Sequence, residues 1–111
     1  MTTWDLIKKI ELKALTEFDP REVEGVFVSD MLSDVMAGAK SGNLWITVQT
    51  HKSIIPAANL VDVSAIIITS DKVVPQETIE LAEKHNIALL TTDLPNFELV
   101  GKLYNLGLVT K

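Results

Sequence analysis

The chain has no cysteine, which excludes disulfides, thiol nucleophiles and thiolate metal sites. It has only two histidines, His51 and His85, too far apart in sequence to argue for a metal site. No apolar run approaches the roughly 18 residues of a membrane span. The N-terminus carries Asp5 and Glu11 and no small-residue cleavage site, so it does not read as a signal peptide. Basic residues are the minority, 10 against 15 acidic, for a formal net charge of −5. With the lysines scattered, neither nucleic acid nor an anionic membrane is expected as a main partner. Gly38-Ala39-Lys40-Ser41 imitates the end of a phosphate loop, but Ala39 and Asp34 occupy the places where that loop needs glycine. GxGxxG, HExxH and GxSxG are absent too, as are linkers, repeats and low-complexity tracts. These absences lead us to expect a cytoplasmic chain with no cofactor.

What is present is apolar residue in quantity. At 111 residues, 47% hydrophobic and 23% charged, residues 1–111 suffice for one domain with a real core and are too few for two. The pattern is organised around Ala65 to Leu103. An apolar run, Ala65 to Ile68, ends in Thr69-Ser70-Asp71; a helical stretch from about Pro75 to His85 follows; a second run, Ile87 to Leu90, ends in Thr91-Thr92-Asp93. That is the sequence form of a βαβ unit. Strands without polar alternation are those covered by helices on both faces.

Upstream, the spacing predicts a helix over Trp4 to Ile10 with Trp4, Ile7 and Ile10 on its buried stripe. Strands follow over Leu12 to Thr16 and Val23 to Val28, the first uncertain in direction. Ser29-Asp30 would cap a helix from Met31 to Ala39, whose apolar stripe includes Met31, Val35 and Met36. A strand over Leu44 to Val48 ends in Gln49-Thr50-His51, and Ser53 would cap a helix from Ile54 to Val61. Asp93 would cap a last helix from Leu94 to Asn105, with Gly107 beyond its end. The alternation reads as an α/β fold, a three-layer α/β/α sandwich with a mostly parallel sheet of about five strands.

Parallel strands share one C-terminal edge, where α/β folds bind ligands. Asp30, Thr50, His51, Thr69, Ser70, Asp71, Thr92 and Asp93 are therefore the candidate ligand-binding residues. Asp30, His51, Thr69, Asp71, Thr92 and Asp93 are expected along one crevice. Ser, Thr and Asp are also the preferred helix N-caps, so capping competes with ligand binding for each of them. His51 could act as a general base, yet no nucleophile or carboxylate is fixed beside it in sequence. His85 suits a helix C-terminus and needs no function.

The order VSDMLSDVMAGAKSGNLWIT, SAIIITSDKVVPQETIELAEKHNIALLTTD, FELVGKLYNLG resembles the DRTGG domain, and is similar to the N-terminal domain of HPr kinase/phosphorylase. The resemblance runs from about Val23 to Leu106, and Phe18-Asp19-Pro20-Arg21 extends it upstream. It implies an accessory domain that regulates or assembles subunits, in some relatives sensing nucleotides, with kinase activity in a separate P-loop domain. The name-giving residues are altered. By the flanking pattern Asp-Arg falls near Thr50-His51 and Thr-Gly-Gly on Thr69-Ser70-Asp71, leaving Thr69 alone unchanged. An arginine replaced by His51 loses a fixed fork for phosphate, and Asp71 adds a negative charge where an anion would approach.

We therefore expect a non-catalytic, stand-alone DRTGG-like domain acting through a protein partner. The alternatives are a small-ligand sensor, nucleotides included, at the sheet edge, and an enzyme using His51 as its base. A mean hydropathy of +0.24 in so small a chain also leads us to expect apolar surface outside the monomer core, and so a homo-oligomer, a dimer in the first instance.

Overall fold

The computed structural model describes residues 1–110. Ten elements follow in chain order: α1 (Thr3–Ile10), β1 (Lys13–Ala14), β2 (Val26–Val28), α2 (Leu32–Gly38), β3 (Leu44–Thr47), α3 (Ile54–Val61), β4 (Ala65–Ile68), α4 (Gln76–Lys84), β5 (Leu89–Thr91) and α5 (Asn96–Asn105). The sheet order is β1-β5-β4-β3-β2. Strands β2 to β5 run parallel, with Trp45 paired to Phe27 and to Ile66, and Ile67 paired to Leu90. The short β1 pairs antiparallel to β5, Lys13 opposite Thr91, which settles the direction of the first strand.

Alternation along the strands divides the core in two. Leu44, Ile46, Ala65, Ile67 and Leu90 pack with Leu6 and Ile10 of α1 and with Leu99 and Leu103 of α5. Trp45, Ile66, Ile68 and Leu89 pack on the other face, with Val35 of α2, Ile54 and Ala58 of α3 and Ala82 of α4. The molecule is thus the expected three-layer α/β/α sandwich. Trp45 is fully buried, and its indole N–H donates to the Ser29 carbonyl at 2.8 Å.

Several boundaries differ from expectation for identifiable reasons. Val23 to Gly25 do not join β2: the Val23 N–H donates to the Met1 carbonyl, and Gly25 turns the chain at φ 91°. The β5 ladder starts at Leu89 because the Thr16 hydroxyl donates to the Ile87 carbonyl and accepts from the Leu89 N–H. That side chain stands in for a strand neighbour. Helix α1 buries Thr3, Leu6 and Ile10, and Trp4 is 40% exposed, stacked on Phe18 with centroids 4.8 Å apart. In α2 only Val35 is buried. The helix is one of seven residues over the sheet's edge strand, too short to bury Met31 and Met36 as well.

Candidate functional site at the carboxyl edge of the sheet

Because β2 to β5 are parallel, their last residues lie along one edge, with the residues after each strand carrying its candidate side chains. The edge is not uniform. Helices α2, α3 and α4, which link the parallel strands, all pack on one face, whereas α5 leaves β5 for the other. The loops after β4 and β5 therefore diverge to opposite faces. Divergence of that kind is what opens a ligand crevice in α/β sheets.

In this chain the two loops are bonded together. The Ser70 N–H donates to the Leu94 carbonyl at 2.9 Å and the Asp71 N–H to the Thr92 carbonyl at 3.1 Å. Beneath them the fully buried Thr69 hydroxyl donates to the Asn96 side-chain oxygen. Ser70 and Asp71 reach this arrangement with φ of 67° and 54°, left-handed values that cost a residue with a Cβ and cost glycine little. At the two positions where the resemblance places glycines, the backbone of this chain takes a conformation that glycine adopts readily.

The remaining candidates are largely occupied by local structure. The Asp30 carboxylate accepts from the Thr47 hydroxyl at 2.8 Å and the Val48 N–H at 2.9 Å, tying the end of β2 to that of β3. It does not cap α2; the cap position is Met31, whose N–H donates to the Ser29 hydroxyl oxygen. The Thr50 carbonyl accepts from the buried Thr78 hydroxyl of α4 at 2.8 Å. His51 Nδ1 accepts from the Ser53 N–H at 3.1 Å and lies 3.0 Å from the Ser53 hydroxyl. Ser53 itself makes no side-chain cap bond to α3. The Thr92 hydroxyl oxygen accepts from the Leu94 N–H, and the cap position of α5 is Pro95, not Asp93.

The expected single crevice is thus divided. Asp71, Thr92 and Asp93 line a groove of about 530 Å³ between α4 and β1, with Leu15, Val74 and Ile79 as apolar lining and Lys13 and Lys72 at its rim. Asp30 and His51 stand towards β2 and β3, and Thr69 is buried beneath the loops. Beside His51, the Lys52 ammonium meets Glu77 at 2.7 Å; that hydrogen bond, reinforced by the lysine's charge, holds the Glu77 carboxyl below its usual range. No group of three or more His, Asp or Glu able to hold a metal occurs among the described residues. Among the described residues no helix is long and apolar enough to cross a membrane.

The sequence profile described as HPr Serine kinase N terminus matches residues 46–106, more than half of the chain. The chain belongs to this family. Its DRTGG-type fold is also that of a solved structure, the CBS and DRTGG domains of the regulatory region of Clostridium perfringens pyrophosphatase, complexed with the activator diadenosine tetraphosphate. The two share 21% identity with a TM-score of 0.71, over 91% of this chain and 45% of that one. The chain therefore spans less than half of the structure it matches, and the likeness is one of fold. No curated protein matches.

Reading the sequence missed three members of this edge. Asn96 holds Thr69, and Val73 and Phe97 are 90% and 85% exposed. Phe97 could have been found by periodicity: Leu99 and Leu103 are the buried stripe of α5, and two residues earlier falls on the opposite side.

Proposed function

We propose that this DRTGG-type chain is a non-catalytic regulatory or assembly domain of the cytoplasm, residues 1–111 acting as one unit through a protein partner and self-associating as a homodimer. The observation that carries the reading is the bonding together of the β4 and β5 loops, which fills the position where a ligand crevice would open. Asp30 and Thr69 are engaged in holding the fold. His51 Nδ1 takes up the Ser53 N–H, and among the described residues no carboxylate orients its other ring nitrogen, as a general base requires. What stays outward is apolar side chain and unpaired carboxylate, the makings of a docking surface.

A second reading is favoured by the groove beside β1, with its two lysines, and by the nucleotide activator bound to the pyrophosphatase regulatory region. In this reading Asp71, Thr92 and Asp93, with Thr50, His51 and Ser70 further along the edge, contribute to a small-ligand sensor. Thermal unfolding with ATP and with diadenosine tetraphosphate separates the two. A ligand at 100 times its Kd adds about 2.7 kcal/mol, a rise of roughly 10 °C in a domain this small. The partner-docking reading expects no rise; a rise abolished by Lys72→Glu would transfer the function to the groove. Light scattering at micromolar concentration checks the dimer, and a monomer there would refute it.

A further inference from the structure

Resting on the partner-docking reading, the geometry points to the joined loops 70–74 and 92–97 as the docking platform, and to a basic, aliphatic-bearing segment of another protein as its occupant. The platform is pre-organised. Two backbone hydrogen bonds and the buried Thr69–Asn96 contact fix one loop against the other, so little conformational entropy is left to lose on binding. It carries Val73 and Phe97, the two most exposed large apolar side chains of the described residues. The groove lined by Leu15, Val74 and Ile79 adjoins Val73, which sits between its lining residues Lys72 and Val74. An exposed aromatic and an exposed aliphatic side chain on a rigid support have the composition of an interface anchor.

Charge decides the occupant. Glu11, Asp71 and Asp93 share the groove with Lys13 and Lys72, Glu98 follows Phe97 on α5 with Lys102 one turn on, and none of these four acids and three lysines forms an ion pair among the described residues. The platform is therefore net acidic on a chain that is itself net −5. A second copy docking here about a twofold axis would bring Asp71, Asp93 and Glu98 towards their own symmetry mates, so the dimer uses another face. Nucleic acid and anionic lipid are repelled. A segment presenting Lys or Arg with Leu, Ile or Val satisfies both the carboxylates and the apolar anchors.

The test is amide-shift NMR on the ¹⁵N-labelled chain with three short synthetic peptides, alternating Lys-Leu, Glu-Leu and Lys-Ser, and with ATP. The Lys-Leu peptide should move the amides of residues 70–74 and 92–98 and bind more tightly than either other peptide. Phe97→Ser, at a solvent-facing site, should weaken it roughly tenfold, and Asp93→Lys should weaken it while raising affinity for Glu-Leu. Glu-Leu binding the platform as well as Lys-Leu, an unchanged affinity in Phe97→Ser, or no platform shift with any peptide would overturn the proposed occupant. ATP shifting the platform while the peptides do not would overturn the docking reading itself. Platform shifts that appear on concentrating the chain alone would give the site to a second copy.

Discussion

The two edges of the sheet use similar residues to opposite ends. At the edge where the parallel strands begin, polar side chains are consumed by the fold. Asn43, 3% exposed, donates to the Glu24 carbonyl at 2.7 Å and accepts from the Lys40 N–H at 2.9 Å, while its own carbonyl receives the Ser64 hydroxyl and N–H. Arg21 forks onto Asp62 at 2.8 and 3.1 Å and caps the Val63 carbonyl, Ser41 adds a hydroxyl to the same carboxylate, and Asp19 exchanges hydrogen bonds with Asn86. At the edge where the strands end, part of the set is likewise engaged, but Asp71, Asp93, Val73 and Phe97 have no such partners among the described residues. Groups the fold does not need are the ones free to meet another molecule.

The largest expected effect lies at the first edge. Asn43→Ala would leave the part-buried Glu24 carbonyl and Lys40 N–H without their side-chain partner, a loss of about 2 kcal/mol, measurable by urea unfolding. Phe97→Ser at the other edge should move stability by no more than about 0.5 kcal/mol. Equal losses from the two changes would break the comparison.

A middle effect belongs to the Arg21–Asp62 fork. Both side chains are partly solvent-exposed, 36% and 57%, so Arg21→Ala should cost only about 1 kcal/mol. The Ser41 hydroxyl first, then the Arg21 guanidinium, hold the Asp62 carboxyl below the usual carboxylate range. A carboxylate more acidic in the folded state than in the unfolded one stabilises fully above the unfolded pKa, and that contribution is lost as pH falls through the folded value. The stability difference between wild type and Asp62→Asn should stay level from neutral pH down to about 5 and shrink below about 4. A difference that widens on acidification would show that the fork is not what Asp62 contributes.

Legibility in the sequence followed the same division. Helix α3 and strand β4 lie where the apolar runs put them, Ile54–Val61 and Ala65–Ile68, because a fully buried strand and the helix packed on it leave no alternative pattern. Strand β1 is two residues long and held from outside, by Leu15 donating to Leu89 and by Thr16, so no local signal could give its extent or direction. At the site, strand direction was enough to place the candidates along one edge. Whether a given Asp or Thr caps a helix, ties two strands or stays unpaired depends on contacts between residues 17 to 27 positions apart, as for Asp30 with Thr47 or Thr69 with Asn96. Spacing within one element does not carry that information.

A last effect, no larger than that of the fork, bears on the joined loops themselves. Ser70 and Asp71 hold left-handed φ values in succession, and each such residue with a Cβ costs about 1–2 kcal/mol relative to a relaxed backbone. Glycine removes that cost but loses roughly 0.5–1 kcal/mol through its freer unfolded chain. Aspartate tolerates the left-handed region better than serine, so the two substitutions should differ. Ser70→Gly is expected to stabilise by up to about 1 kcal/mol, and Asp71→Gly to change little. Both loop hydrogen bonds use backbone N–H groups, which glycine keeps, so the joined geometry should survive in either variant. Differential scanning calorimetry of the single variants and the double decides. A gain in Ser70→Gly would mean that the loop keeps a conformation its present residues resist and that the backbone bonds to Thr92 and Leu94 hold it there. A loss above about 1 kcal/mol in Asp71→Gly would instead mean that the Asp71 carboxylate supports the fold, placing it with Asn43 and Asp62 and removing it from the proposed docking surface.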